Sequence, residues 1–160
     1  MKWNSRLVLL ISLLIIHVKT ESINTDFDIT PLAACPTVNN QASYNYTNLF
    51  DKNIKTYWGA NKCTFEGQDN VWYVSFTTSR LVEVAGYTIT LATDGTVYQM
   101  KSCSPMSWIL KAKEKEEQSW QNIDERNYTM TGEVNYENYT FNVNKPGKYQ
   151  YFAFVITSLQ

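Results

Sequence analysis

The chain has 160 residues, with 14 basic and 15 acidic side chains, one histidine and a formal net charge of −1. This length suits one domain with a substantial core. A charge close to zero argues against nucleic acid as the main partner, since nucleic-acid binding needs a basic patch.

The N-terminus has the pattern of a secretory signal peptide. Lys2 and Arg6 precede an apolar run at residues 7–16, and the sequence then returns to polar residues. Ten residues span only about 15 Å as a helix, half of a bilayer core, so the run is typical of a leader. We expect cleavage after Thr20, with a site near Ser22 as the alternative. The other interpretation is an uncleaved amphipathic or membrane-anchoring helix.

Removal of residues 1–20 changes what the chain can do. Lys2, Arg6, Lys19 and His17 leave with the leader, which lowers the net charge from −1 to −4 and removes the only histidine. We therefore expect a secreted product with no integral membrane segment and no affinity for nucleic acid or anionic membrane. Histidine-dependent catalysis is excluded, so an enzyme is not expected. Carboxylate-pair hydrolysis remains the alternative, although most acidic residues cluster among lysines in the pattern of a solvated hairpin edge, at Glu114, Glu116, Glu117, Asp124 and Glu125.

The mature sequence predicts β-strands in chain order. Residues up to about 46 are rich in turn formers, with Pro31 and Pro36. Period-2 alternation then marks four strands, at residues 71–76, 87–91, 108–113 and 151–156. Because no stretch has a sustained helical period, these strands predict a single antiparallel sandwich or barrel. The charged segment 113–119 is interpreted as an exposed hairpin tip.

Cysteines and glycosylation sequons fit the secretory route. Three cysteines in an oxidising compartment leave either one disulfide plus a free thiol or a pairing between chains. Zinc is not expected, because there is no Cys-x-x-Cys spacing and the mature chain has no histidine. Three Asn-Tyr-Thr sequons predict N-glycosylation at Asn45, Asn127 and Asn138.

Several stretches resemble discoidin domains, the coagulation factor V/VIII C-type domains of the galactose-binding-like superfamily. They are Asn48–Trp58, Trp72–Phe76, Pro105–Ala112, Ser119–Arg126 and Lys148–Ile156. The similarity runs through residues 38–157 in the family's order. It implies an all-β antiparallel jelly-roll sandwich over residues 38–160, preceded by a signal peptide at 1–20 and an N-terminal segment at 21–37. It also implies that Trp58, Trp72, Trp108 and Trp120 are core residues.

The resemblance implies a structural calcium ion. The family's calcium loop matches Asp51 and Thr56 as side-chain ligands and Asn53 through its backbone, an all-oxygen set that suits Ca²⁺. The alternative is that Asp51 only caps a turn. Lys52 replaces the family's usual glycine. Relatives also continue past the position of Gln160 into a last strand with a glutamate ligand, so we expect either a truncated form or a site one ligand short.

The resemblance places ligand recognition in loops at one end of the sandwich. These loops would be residues 59–70 and 94–106, joined by 38–46. Their candidate ligand-binding residues are Asn61, Phe65, Gln68, Tyr98, Gln99 and Lys101, with the two aromatic rings for stacking and the others for hydrogen bonds. The alternative is that these are ordinary polar loops. We further predict a disulfide between Cys63 and Cys103 that links the two loops.

The function expected from this resemblance is a non-catalytic binding module. Its partner would be carbohydrate or a glycosylated surface. The alternative is protein–protein adhesion, or an extracellular structural role without sugar affinity.

Overall fold

The computed structural model describes residues 9–18, 27–37, 45–51, 58–91, 104–130 and 137–160. Eight strands and one four-residue 3-10 helix account for most of these described residues. Every strand pair is antiparallel, which confirms the predicted all-β sandwich. The elements are β1 Leu9–Val18, β2 Ile29–Ala34, the 3-10 helix Tyr46–Leu49, β3 Trp58–Ala60, β4 Cys63–Phe65, β5 Gln68–Leu91, β6 Pro105–Lys113, β7 Gln121–Asn127 and β8 Asn138–Leu159.

Helices contribute little to the described ranges. The 3-10 helix is a single turn. No helix in these ranges is long and apolar enough to cross a membrane.

The two longest strands, β5 and β8, form the central pair of the sandwich. They pair along most of their lengths, but the register is interrupted between Thr77 and Val82. Residues 68–77 of β5 lie in a layer with β2, β4, β6 and β7, and residues 82–91 lie in a layer with β1 and β3. The predicted strands at 71–76 and 87–91 are therefore two arms of one bent strand.

Aromatic side chains fill the space between the layers. Trp72, Phe76 and Phe154 alternate with outward-facing residues and are fully or almost fully buried, as period-2 strands predict. Tyr87, from the second arm of β5, packs edge-on against Phe154 of the opposite layer, with ring centroids 6.2 Å apart. These contacts fix the two layers face to face.

The predicted recognition loop at residues 59–70 is in fact mostly strand. β4 turns into β5 through Glu66 and Gly67, whose φ angles are +48° and +79°. Two consecutive positive φ values are those of a type I′ hairpin turn, whose twist matches the flanking strands. Glycine adopts this backbone without strain, whereas Glu66 adopts it at some cost.

The N-terminal part of the chain also contributes strands. β1 lies between β3 and β5 and pairs with both. It belongs to the predicted leader, whose cleavage stays a prediction. β2 pairs with β5 and contains Pro31, at a register irregularity between Pro31 and Ala33. The sequence predicted only turns here, because proline disfavours the interior of a sheet. The strand is possible because proline is tolerated at edges and bulges, and β2 pairs with one described strand, β5.

The predicted disulfide is wrong. Cys63 is bonded to Cys35, not to Cys103, and the two Cα atoms are 5.6 Å apart. Cys35 follows β2 and is held against β5, since its backbone N–H donates to the carbonyl oxygen of Tyr73 at 3.0 Å. β4 and β2 both pair with β5, which brings the two cysteines together. Cys103 lies outside the described residues.

Three of the four tryptophans that were expected in the core are core residues. Trp58, Trp72 and Trp108 are at most 1% exposed. Trp120 is not, because it lies half-buried on the outer face of the sheet. There the Lys113 ammonium sits 4.7 Å from its ring centre. The segment after Lys113 is exposed, which confirms the predicted hairpin tip.

Candidate functional site

A groove crosses one end of the sandwich where β6 begins and β7 ends. Ser107 pairs with Asn127 across these strands. The Thr157 hydroxyl of β8 donates to the Ser107 carbonyl at 3.1 Å, which fixes the third strand beside them. The groove encloses about 600 Å³. Its polar lining consists of Gln68, Ser107, Glu125, Arg126, Asn127 and Thr157, and its apolar lining of Trp108 and Ile109.

The guanidinium of Arg126 is held in place between the two layers of the sandwich. Its Nε donates to Asp124 Oδ2 at 2.8 Å, and a terminal nitrogen donates to the Asn142 carbonyl at 2.5 Å. The hydrogen bond to Asp124 raises the pKa of Arg126 above its ordinary value. The guanidinium also lies over the Phe141 ring, 5.5 Å from its centre. Arg126 pairs with the buried Trp108, so its side chain lies on the inner face of β7 with Asp124, whereas Glu125 and Asn127 lie on the opposite face.

Asp124 is the centre of a buried hydrogen-bond network. Besides Arg126, the Tyr87 hydroxyl donates to its Oδ2 at 2.6 Å, and the Asn144 backbone N–H approaches Oδ1 at 3.3 Å. The indole N–H of Trp108 donates to the Tyr87 hydroxyl at 2.7 Å. Burial, with the Asp124 hydrogen bond second, raises the pKa of Tyr87 far above its ordinary value. These groups have partners within the protein, so the network positions Arg126 and does not itself face a ligand.

Of the three predicted ligand-binding residues that the structure describes, Asn61, Phe65 and Gln68, only Gln68 lines this groove. Asn61 holds the chain locally: its backbone N–H donates to the Pro36 carbonyl at 2.9 Å. Phe65 is 9% exposed. Its ring packs against Tyr73 and Trp120, with centroids 4.6 and 5.9 Å away. Its ring faces are therefore covered, contrary to the stacking role expected of it. Tyr98, Gln99 and Lys101 lie outside the described residues.

Sequence reasoning missed Ser107, Glu125 and Arg126 as groove residues. They lie in stretches interpreted as a hairpin of the core, and Glu125 was interpreted as part of a solvated charged edge. A usable signal is present at the end of β7, where Glu125, Arg126 and Asn127 break the apolar alternation. Three consecutive polar residues at a strand end are typical of a surface that meets solvent or ligand.

The calcium prediction concerns the segment after the 3-10 helix. Asp51 is exposed and directly follows Phe50, the C-cap of that helix. Asn53 and Thr56 lie outside the described residues. Within the ranges that the structure covers, no three His, Cys, Asp or Glu side chains are grouped as a metal site. Calcium binding therefore stays a prediction.

The three sequon asparagines lie at or near the surface. Asn45 is the N-cap of the 3-10 helix, and its Oδ1 accepts from the Thr47 backbone N–H at 3.0 Å and from the Thr47 hydroxyl at 3.1 Å. Asn127 and Asn138 are exposed. Their sequons are neighbours, because Tyr128 and Tyr139 pack edge-on with centroids 6.1 Å apart. An N-linked glycan leaves Oδ1 available, so the cap made by Asn45 is compatible with glycosylation.

Solved structures share this fold. A candidate chitobiase fragment from Bacteroides thetaiotaomicron superposes with a TM-score of 0.63 at 14% identity, covering 89% of this chain and 86% of that one. The C-terminal domain of a Bacteroides fragilis chitobiase gives 0.54 at 18% identity, covering 84% and 83%. The family 32 carbohydrate-binding module of C. perfringens NanJ, in complex with galactose, gives 0.51 at 15% identity, covering 83% of each chain.

Sequence comparison gives no family. No protein-family profile matches the chain, and no curated protein matches it in sequence. At these identities the structural neighbours establish the fold, a β-sandwich of the kind found in a family 32 carbohydrate-binding module. Membership of the discoidin family remains an expectation from the sequence motifs.

Proposed function

We propose that this protein is a secreted, non-catalytic binding module that recognises carbohydrate or glycosylated surfaces. The observation that supports the proposal most strongly is the groove where β6 begins and β7 ends. It combines the Glu125 carboxylate, the Gln68 amide and the Ser107 and Thr157 hydroxyls within about 600 Å³. Such a lining offers both donors and acceptors to a ligand rich in hydroxyl groups.

The position of the groove supports the proposal. Gln68 opens β5 directly after the Glu66–Gly67 turn, and Ser104 and Pro105 enter β6 from the predicted loop 94–106. Both predicted recognition loops therefore connect to strands at this end of the sandwich. The NanJ module with the same overall fold is a carbohydrate-binding module in complex with galactose.

The groove has the scale of a small-ligand site. Ligand pockets commonly enclose about 300–1,000 Å³. Its strands are fixed by the β6–β7 and β6–β8 pairing and by the Thr157–Ser107 hydrogen bond, so the backbone of the site is already arranged before a glycan binds.

Calcium would have a structural role in this proposal. Asp51 and Thr56, with the Asn53 carbonyl, would hold the ion and fix the loop that leads into Trp58. The ion would supply local rigidity and no chemistry.

The proposal is tested by binding of the released protein to a glycan array, followed by calorimetry with the best ligand. Glu125→Gln replaces a charged acceptor with a weaker neutral amide, and Gln68→Ala leaves a ligand hydroxyl without its partner, so each should weaken binding by about 1–3 kcal/mol. Gln121→Ala and Glu114→Gln are matched controls, because both residues are exposed and lie at the far end of β7 and in the hairpin tip. Equal loss in the controls, or no glycan bound by the wild type, would contradict the proposal.

A further inference from the structure

β1 lies in a slot between β3 and β5, and both of these strands are anchored by contacts that do not involve β1. On one side it pairs with β3, where Leu9 lies opposite Ala60 and Ile11 opposite Trp58. On the other it pairs with residues 84–91 of β5. Neighbouring strands are about 4.7–4.9 Å apart, so the two walls are separated by roughly 9.5 Å, the width of one strand.

The β3 wall is anchored to the rest of the molecule independently of β1. The Trp72 indole N–H donates to the Ala60 carbonyl at 3.1 Å, and Ala60 also forms a β-bridge with Thr37. Three residues further on, Cys63 is covalently tied to Cys35. β3 is therefore held in position from the side that does not face β1.

The β5 wall is anchored in the same way. Residues 86–90 of β5 pair continuously with residues 138–142 of β8 on the side away from β1. Tyr87 is fixed further by its hydrogen bonds to Asp124 and from Trp108. Both walls would therefore persist if β1 were absent.

The slot is uncharged and mostly apolar, with Thr88 and Thr90 as polar residues on the β5 wall. Neither residues 84–91 nor Trp58–Ala60 contain a charged side chain, and residues 86–91 and 58–60 are all buried. Natural proteins protect open sheet edges with charges or proline, and neither is present on these walls. An open slot of this kind would leave two rows of backbone N–H and C=O groups without partners.

We propose that the released protein contains a strand-acceptor site between β3 and residues 84–91 of β5, which binds an extended, uncharged, apolar peptide segment. The expected cleavage after Thr20 removes β1, and the position that β1 holds in the uncleaved chain then becomes open. The segment binds antiparallel to β5 by adding a strand to the sheet. Backbone hydrogen bonds supply affinity, and the uncharged walls exclude segments with charges, whose burial without partners is costly.

The probe is a synthetic peptide of residues 9–18, flanked by lysines for solubility, and the target is the protein secreted from the full-length chain. Its intact mass should show that residues 9–18 are gone. The peptide should then raise the melting temperature in a concentration-dependent way, or induce folding if the released chain is partly unfolded. Amide exchange of residues 86–91 should slow by about tenfold or more when the peptide is bound.

Matched peptides separate strand insertion from nonspecific apolar contact. Leu14 lies opposite Ile89 in the middle of the slot. Leu14→Pro should abolish binding, because proline removes a backbone donor and does not fit a central strand, whereas Leu14→Val should retain it. Retention of residues 9–18 in the secreted protein, equal binding of the two peptides, or a dimer whose residues 86–91 are protected without peptide would each overturn the proposal.

Discussion

Tyr87 and Asp124 are joined by a 2.6 Å hydrogen bond between the two layers of the sandwich. Tyr87 lies in the second arm of β5, and Asp124 lies in β7 of the opposite layer. Asp124 is only 2% exposed, so this bond satisfies a carboxylate within the protein interior. The same carboxylate accepts from Arg126 Nε, and Arg126 lies in β7 between the groove residues Glu125 and Asn127, which connects the buried network to the strand that holds the candidate site.

Tyr87→Phe should destabilise the fold by roughly 2–4 kcal/mol. It removes the donor to Asp124 and the acceptor for the Trp108 indole, and each buried group left without a partner costs about 1–3 kcal/mol. Denaturant unfolding measures the change. Tyr128→Phe is the control, because the Tyr128 side chain is 45% exposed. Equal stabilities of wild type and Tyr87→Phe would mean that the network contributes nothing to the fold.

The same tyrosine predicts how stability depends on alkaline pH. Burial raises the pKa of Tyr87 in the folded state, while an unfolded tyrosine titrates near pH 10. Above about pH 10 the unfolded state therefore releases a proton that the folded state keeps, and stability falls as pH rises. Melting temperatures between about pH 8 and 11 should decline more steeply for wild type than for Tyr87→Phe. Parallel pH profiles would contradict this assignment.

The disulfide predicts a stability change and a mapping result. Cys35→Ser combined with Cys63→Ser should lower the free energy of unfolding by about 3–4 kcal/mol, because the bond closes a loop with a sequence separation of 28 residues. Cys103→Ser is the control and should leave stability unchanged. Peptide mapping without reduction should recover the Cys35–Cys63 pair. A linked Cys63–Cys103 peptide would show that the pairing in the structure is not the one that forms.

Calcium is tested by melting curves with calcium and with chelator. If Asp51 is a ligand, saturating calcium at about 100 times its dissociation constant should stabilise the protein by roughly 2.7 kcal/mol. Millimolar affinity, about 10⁻⁴–10⁻³ M, is expected for an extracellular module with an incomplete ligand set. Asp51→Ala should remove the shift, and Asp28→Ala, at another exposed aspartate, should keep it. A shift that survives Asp51→Ala would place the ion elsewhere.

The strands were predictable because alternation of apolar and polar residues records which face of a strand is buried. Residues 71–76, 87–91, 108–113 and 151–156 all lie in strands of the structure. The continuity of β5 was not predictable. Leu81 is 46% exposed and Arg80 is exposed, so the bend between the two arms has the polarity of a connecting loop.

The site was predictable only in part, because it depends on which chain segments meet. Gln68 was singled out and does line the groove, but Glu125 and Arg126 join it from a strand 57 and 58 positions further along the sequence. Phe65 was expected to be open, yet the type I′ turn folds it back onto Tyr73. The Cys35–Cys63 pairing likewise follows from β2 and β4 both pairing with β5, which no spacing of cysteines encodes.

The most direct test of the central claim is an NMR titration of the released, isotope-labelled protein with the glycan that binds best on the array. Carbohydrate binding in the groove predicts saturable shifts of the Gln68 side-chain amide and of the Glu125 and Asn127 backbone amides, with residues 114–119 of the hairpin tip unmoved. Shifts confined to other surfaces, or no saturable shifts with any glycan, would contradict the assignment of this groove as the binding site.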